Sequence, residues 1–279
     1  MKELRLIAYG NSGPRFILRI TSVLIILFIA VNAQAQSLIP ELSFKNPVLK
    51  TGKGCPGEGL DGAVYIFENV GWNMDALVTI LGRSSAEVTL SAADIQGPEQ
   101  DSVNGTGDDN AWQPRIRYAD GKAPAHKTWW MEFKVSFVKH QDRNTSISVN
   151  QFFVSGLDID GDGKQLHEFQ SYYKMHFFSL EPFTAVFASS VQGSEMDPLL
   201  KGKRFDGSTK NYPGISMTAQ DAMVNNLYTG TSSMVVRLGA ETGKTGSEKS
   251  DRMYGLLFKS LVFDVPDPEK EPVNLVAFR

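Results

Sequence analysis

Cysteine is almost missing from this chain. Cys55 is the only one among 279 residues, so no intrachain disulfide can form and stability must come from packing or bound ions. Its place well beyond residue 35 also argues against the acylated cysteine of a lipoprotein. An excess of either charge is missing as well: the net charge is −3, which provides no basic field to gather phosphates and excludes nucleic acid as the expected partner. Long apolar runs are absent too. A spanning helix takes about 20 apolar residues, whereas the uninterrupted run Val23–Val31 is about half that and no later stretch is apolar enough.

Signatures of catalysis are equally scarce. His167-Glu168 opens like a zinc-protease helix motif, but Ser171 stands where the second histidine belongs. The segment Gly239-Ala-Glu-Thr-Gly243-Lys244-Thr245 is one residue short of a phosphate loop. The histidines His126, His140, His167 and His176 have no ligand spacing, and no Gly-x-Ser-x-Gly elbow occurs. Acids are plentiful enough for a glycosidase pair, yet nothing local selects one.

What is present begins with a leader. Lys2, Arg5, Arg15 and Arg19 precede the apolar run, and Ala33-Gln34-Ala35 follows it. This order predicts a secretory signal peptide over residues 1–35, cleaved after Ala35 or Gln36, with a retained anchor as the alternative. No stable membrane insertion is expected after cleavage, and the chain is expected to be secreted or on the cell surface, with the periplasm also open. Residues 36–60 read as an N-terminal extension, 61–263 as one β-sandwich domain, and 264–279 as a Pro-rich acidic linker with the start of a further module.

The mature part is predicted to be all-β, an antiparallel β-sandwich of jelly-roll-like form with long loops. Strands are expected at residues 64–67, 77–81, 86–90, 129–138, 147–154, 172–178, 184–190, 234–238 and 254–263, where aromatic and β-branched residues lie between Gly, Asp, Asn and Ser clusters. Alternation is clearest from Trp129 to Val138: Trp129, Met131, Phe133, Val135 and Phe137 face one way, and Trp130, Glu132, Lys134 and Ser136 face the other, predicted wet, side. Residues 218–226 read as a short helix. Long polar connections at 97–110, 193–214 and 239–251 are expected to be functional loops.

Two groups of side chains are candidates for a site. Asp158, Asp160 and Asp162 alternate through Asp-Ile-Asp-Gly-Asp-Gly163, with Glu168 after them. Such spacing lets carboxylates converge on a hard cation, so these four are candidate calcium ligands, joined by Asp108 and Asp109 if that loop folds beside them. The flanks alternate like strands, which excludes an EF-hand, and Asp-Gly is also ordinary hairpin-turn chemistry. Exposed aromatics form the second group, because sugar rings stack on Trp and Tyr: Trp130 is the first candidate, with Trp112 and Tyr172 behind it. Packing in or at the rim of the sandwich is the alternative for each ring.

The stretches Met74-Asp-Ala-Leu-Val-Thr-Ile80, Gly107-Asp-Asp-Asn-Ala-Trp-Gln-Pro114 and Gly156-Leu-Asp-Ile-Asp-Gly161 resemble unassigned β-sandwich modules of large secreted and surface proteins of Bacteroidetes, over residues 60–263. The resemblance implies an adhesin-like setting and marks Asp75, Asp108, Asp109, Asp158 and Asp160 as shared features. The ending Glu271-Pro-Val-Asn-Leu-Val-Ala-Phe278 is similar to the start of the module that often precedes a type IX secretion sorting domain. The expected function is an exported, calcium-stabilised module binding a glycan or another surface partner. A structural or adhesive spacer and a polysaccharide hydrolase or lyase are the alternatives.

Overall fold

A computed structural model describes residues 39–96, 107–207 and 210–263. The expected leader, the segment 264–279 and most of the 97–110 connection lie outside the described residues. Strands are β1 (Val48–Leu49), β2 (Val64–Gly71), β3 (Met74–Arg83), β4 (Val88–Ala92), β5 (Arg115–Tyr118), β6 (Thr128–Lys139), β7 (Asp142–Ser146) and β8 (Val149–Leu157). They continue as β9 (Leu166–Tyr173), β10 (Phe177–Leu180), β11 (Phe187–Gln192), β12 (Lys201–Asp206), β13 (Val224–Thr231), β14 (Ser233–Thr242), β15 (Asp251–Met253) and β16 (Gly255–Leu257).

All the pairings are antiparallel. The large sheet runs β1-β2-β3-β6-β14-β9-β12-β11, with β7 on the end of β6. A second sheet runs β10-β13-β8-β16, and a third runs β15-β5-β4. The first two pack face to face through rings: Phe137 of β6 meets Phe152 of β8 edge-on at 5.0 Å, and Phe178 of β10 meets Phe205 of β12 at 5.2 Å. Tyr118 of β5 lies 6.4 Å from Trp129, tying the third sheet to the same core. Full burial of one such ring is worth about 1.5–3 kcal/mol. The molecule is therefore an all-β assembly of packed antiparallel sheets, and among the described residues no helix is long and apolar enough to cross a membrane.

Strand β6 shows why the sequence folds this way. The five residues on its predicted inner face are all buried, as alternation requires when one face meets the core. Its other face is not simply wet. Glu132 is buried, paired with Arg237 at 2.8 Å and accepting from Ser194 Oγ (2.8 Å) and the Glu195 N–H (2.7 Å). The segment after β11 thus folds back over the outer face of the large sheet.

Three further expectations change. The N-terminal extension joins the core: Phe44 is fully buried and stacks on Phe258 at 4.0 Å. The predicted strand 172–178 is two strands, because Lys174 adopts φ 56° between β9 and β10 and carries the chain from the large sheet to the smaller one. The predicted helix at 218–226 is a single 3-10 turn, Gln220–Ala222, followed by β13. Asn225 and Asn226 misled the pattern. They are buried because their amides donate to the carbonyls of Leu261 (2.7 Å) and Val154 (3.2 Å).

A buried carboxylate braces the β2–β3 hairpin. Asp75 receives the Asn69 N–H (2.9 Å) and Arg143 Nε (2.9 Å), and its Oδ1 lies 2.8 Å from His140 Nδ1. Burial works against its charge, but these partners more than offset it and hold the carboxyl below the usual aspartate range. Trp72 stands on the tip of this hairpin, 96% exposed.

Candidate functional site

The Asp-rich segment leaves β8 through Asp158, which takes φ 54°. That turn of the chain points successive acids to different places. Asp162 is exposed and its Oδ1 accepts the N–H groups of Lys164 (2.9 Å), Gln165 (2.7 Å) and Leu166 (3.2 Å). It closes a tight turn into β9 and acts as turn chemistry. Asp158, Asp160 and Glu168 go inward, at 3%, 0% and 0% exposure.

The positive charge among these acids is a side chain. Arg252, on β15, donates from Nε to Glu168 Oε1 and from Nη2 to Asp160 Oδ1 (3.2 Å). Asp160 Oδ2 also accepts the Tyr212 N–H at 2.6 Å. Close packing keeps the group together: Gly207 donates its N–H to the Glu168 carbonyl (2.8 Å), and a Cβ there would come within 2.1 Å of the Asp160 carbonyl oxygen. A guanidinium thus bridges two of the expected calcium ligands, Asp160 and Glu168.

Asp108 and Asp109 do not join them. Asp108 Oδ1 accepts the Asn110 N–H (2.7 Å) and side-chain amide (3.1 Å), closing its own turn, and Asp109 is exposed. Among the described residues no three His, Cys, Asp or Glu side chains are grouped as ligands for one metal ion.

One guanidinium does not satisfy three carboxyls. Asp158 Oδ1 and Glu168 Oε2 are buried without a hydrogen-bond partner, and so is the Tyr254 hydroxyl. Burial, reinforced by the charges of Glu168 and Asp160, pushes the Asp158 carboxyl up to about 9. Burial also raises Glu168 to about 8 against the pull of Arg252, and raises Asp160. Desolvation and like charge both disfavour the ionised form, so at neutral pH Asp158 holds its proton.

Asp158 lines a cleft of about 400 Å³, together with Asn211, Tyr212, Pro213, Lys249, Asp251 and Met253 among others. Asp251, across the cluster on β15, is held by Arg115 Nε at 2.9 Å and Arg117 at 3.8 Å. A second recess of about 550 Å³ shares Tyr212 and is bordered by Glu181, Phe183, Lys210 and Asp221. The Tyr212 hydroxyl donates to Asp221 (2.5 Å), and Lys210 Nζ sits 4.4 Å from its ring centre. A half-exposed aromatic therefore stands between two adjoining polar recesses.

The aromatic candidates from the sequence lie elsewhere, and two are corrected outright. Trp112 is 1% exposed, its indole donating to the Ala93 carbonyl (2.8 Å) and its ring meeting Phe133 at 5.1 Å. Tyr172 is buried, its hydroxyl donating to Gln170 (2.5 Å). Trp130 is half-buried and covered by the Arg237 guanidinium at 3.9 Å. Each looked exposed because of polar neighbours in sequence, yet some of those neighbours, Gln113, Glu132 and Gln170, are themselves buried and hydrogen-bonded.

Sequence reasoning missed Arg252, Asp251 and Lys249. Arg252 is 84 positions from Glu168, and no local pattern connects them. The usable signal was indirect: acids interleaved with core residues such as Ile159 and Phe169 must be buried, and buried acids require a cation or protons. No family model matches the chain, and a search of the curated proteins returns no match.

Proposed function

We propose that this protein is an exported, jelly-roll-like β-sandwich module that binds a glycan in the cleft beside Tyr212. The observation that carries this reading is the pair of adjoining recesses sharing that ring, one of them floored by a buried, partner-lacking Asp158 carboxyl. A sugar presents an apolar face for stacking and hydroxyls that exchange hydrogen bonds. A protonated Asp158, Asn211 and Lys249 supply complementary polar groups, and two recesses that share Tyr212 offer room for more than one sugar residue. Export rests on the leader, and the resemblance to surface modules of Bacteroidetes supports the setting. This reading does not call on calcium: Arg252 pairs with Asp160 and Glu168, and Asp158 takes part as a protonated carboxyl.

Affinity electrophoresis of residues 37–279 through gels containing xylan, mannan, soluble β-glucan or polygalacturonate tests it. At least one polymer should retard the wild type, and Tyr212→Ala should lose most of that retardation while melting normally. Unretarded migration through every gel, with the protein folded, would overturn the reading.

A further inference from the structure

We infer that the cleft also hydrolyses the glycan it holds, with Asp158 as proton donor and Asp251 as the carboxylate that takes a proton from water. This inference rests on the binding reading above and adds a reaction to it. Both residues line the same cleft, but their surroundings oppose each other. Asp158 is nine-tenths buried beside two other acids, with one oxygen free of partners and no arginine bonded to it. Asp251 is a quarter exposed and ion-paired with Arg115 and Arg117. Two carboxyls in opposed surroundings, one without a cation beside it and one between two guanidiniums, are how a single site divides acid and base steps.

The reaction balances with water as the only co-reactant. Asp158 gives its proton to the glycosidic oxygen, the bond from that oxygen to the anomeric carbon breaks, and its electron pair stays on the departing oxygen. Water forms the new bond to the anomeric carbon while its proton passes to Asp251. Return of that proton to Asp158 through solvent resets the pair, and the products are two shorter saccharides.

Arg252 and Lys249 have supporting places. Arg252 pairs with Asp160 and Glu168, and of the three buried acids Asp158, the one it does not bond, is the one that lines the cleft. Lys249 lines the cleft and is exposed, so its ammonium is available to a hydroxyl of the bound sugar. Neither is assigned a proton in the reaction.

Reducing-end release is measured on the polymer that retards the wild-type protein, from pH 4 to pH 9. Wild type should release reducing ends, with the high-pH limb set by loss of the Asp158 proton. Asp158→Asn should lower turnover at saturating polymer about 100- to 10,000-fold, the usual worth of a positioned acid, a readout that separates loss of the acid from any weakening of binding. Asp251→Ala should lose turnover similarly and regain it with added azide or formate, a rescue that a purely structural residue does not give. Retardation with no reducing ends at any pH overturns hydrolysis and leaves binding intact; absence of retardation removes both. Full turnover in folded Asp158→Asn overturns the assignment of the acid.

Discussion

Two buried acid clusters lie toward opposite ends of the large sheet. Asp75 pairs with Val138 at one end of β6, whereas Glu168 is in register with Ala240, itself opposite Trp129 at the other end. At the first, a single carboxylate has a backbone N–H, an arginine and a histidine, and its affinity for protons falls. At the second, three carboxyls share one arginine, two oxygens are left without partners, and proton affinity rises. The first is a completed brace. The second is incomplete, and one of its acids, Asp158, lines a cleft.

Replacing Arg252 with Met should break the contrast most severely. Removing one partner from a buried ion cluster costs about 3–5 kcal/mol, and urea denaturation at pH 8 should show a loss of that order. Little change would mean that the acids are neutral without Arg252. Next comes Asp75→Ala, which removes several hydrogen bonds to a charge and should cost about 2 kcal/mol. Because the folded Asp75 carboxyl sits below its unfolded value of about 3.9, its contribution is present above that value and disappears as pH falls through the folded one. The variant should therefore be less acid-sensitive than wild type.

Asp158→Asn should show the opposite slope and a smaller effect. The folded carboxyl titrates near 9, far above the unfolded value, so its contribution is complete below about pH 4 and is lost as pH rises through 9. Thermal melts should find wild type weakening from pH 5 to 9 and the variant flatter, with a gain at pH 9 of about 1–2 kcal/mol from no longer ionising a buried, unsatisfied group. A parallel pair of curves would place the buried proton elsewhere. Calcium sharpens the comparison with the smallest expected response. Adding millimolar calcium or chelator should move the melting midpoint by less than about 1 °C, since a ligand stabilises only what it binds. A rise of several degrees would return the acids to a metal.

Much of the architecture was readable from residue order. Strand β6 was legible because five apolar side chains alternate without interruption, and β3, β8 and β14 for similar reasons. Strand β12 was hidden in the expected 193–214 loop because Lys-Gly-Lys-Arg-Phe-Asp has one core residue, Phe205. Strand β13 was hidden by asparagines whose partners come from distant segments. The site divided in the same way. Asp158, Asp160 and Glu168 announced themselves by spacing, but the arginine that sets their protonation, and the Tyr212 that gives the cleft its ring, are brought in by tertiary pairing. Periodicity reports what one strand buries, and it is blind to which strand arrives opposite.

The 84-residue separation between Glu168 and Arg252 also orders events in time. During synthesis the three acids leave the ribosome well before the only guanidinium that will neutralise two of them. Until β15 pairs with β5, β8 and β9 cannot settle at that end without protons on their carboxyls. The last strands therefore act as a clasp, closing an acid-bearing end that the earlier strands leave without its guanidinium.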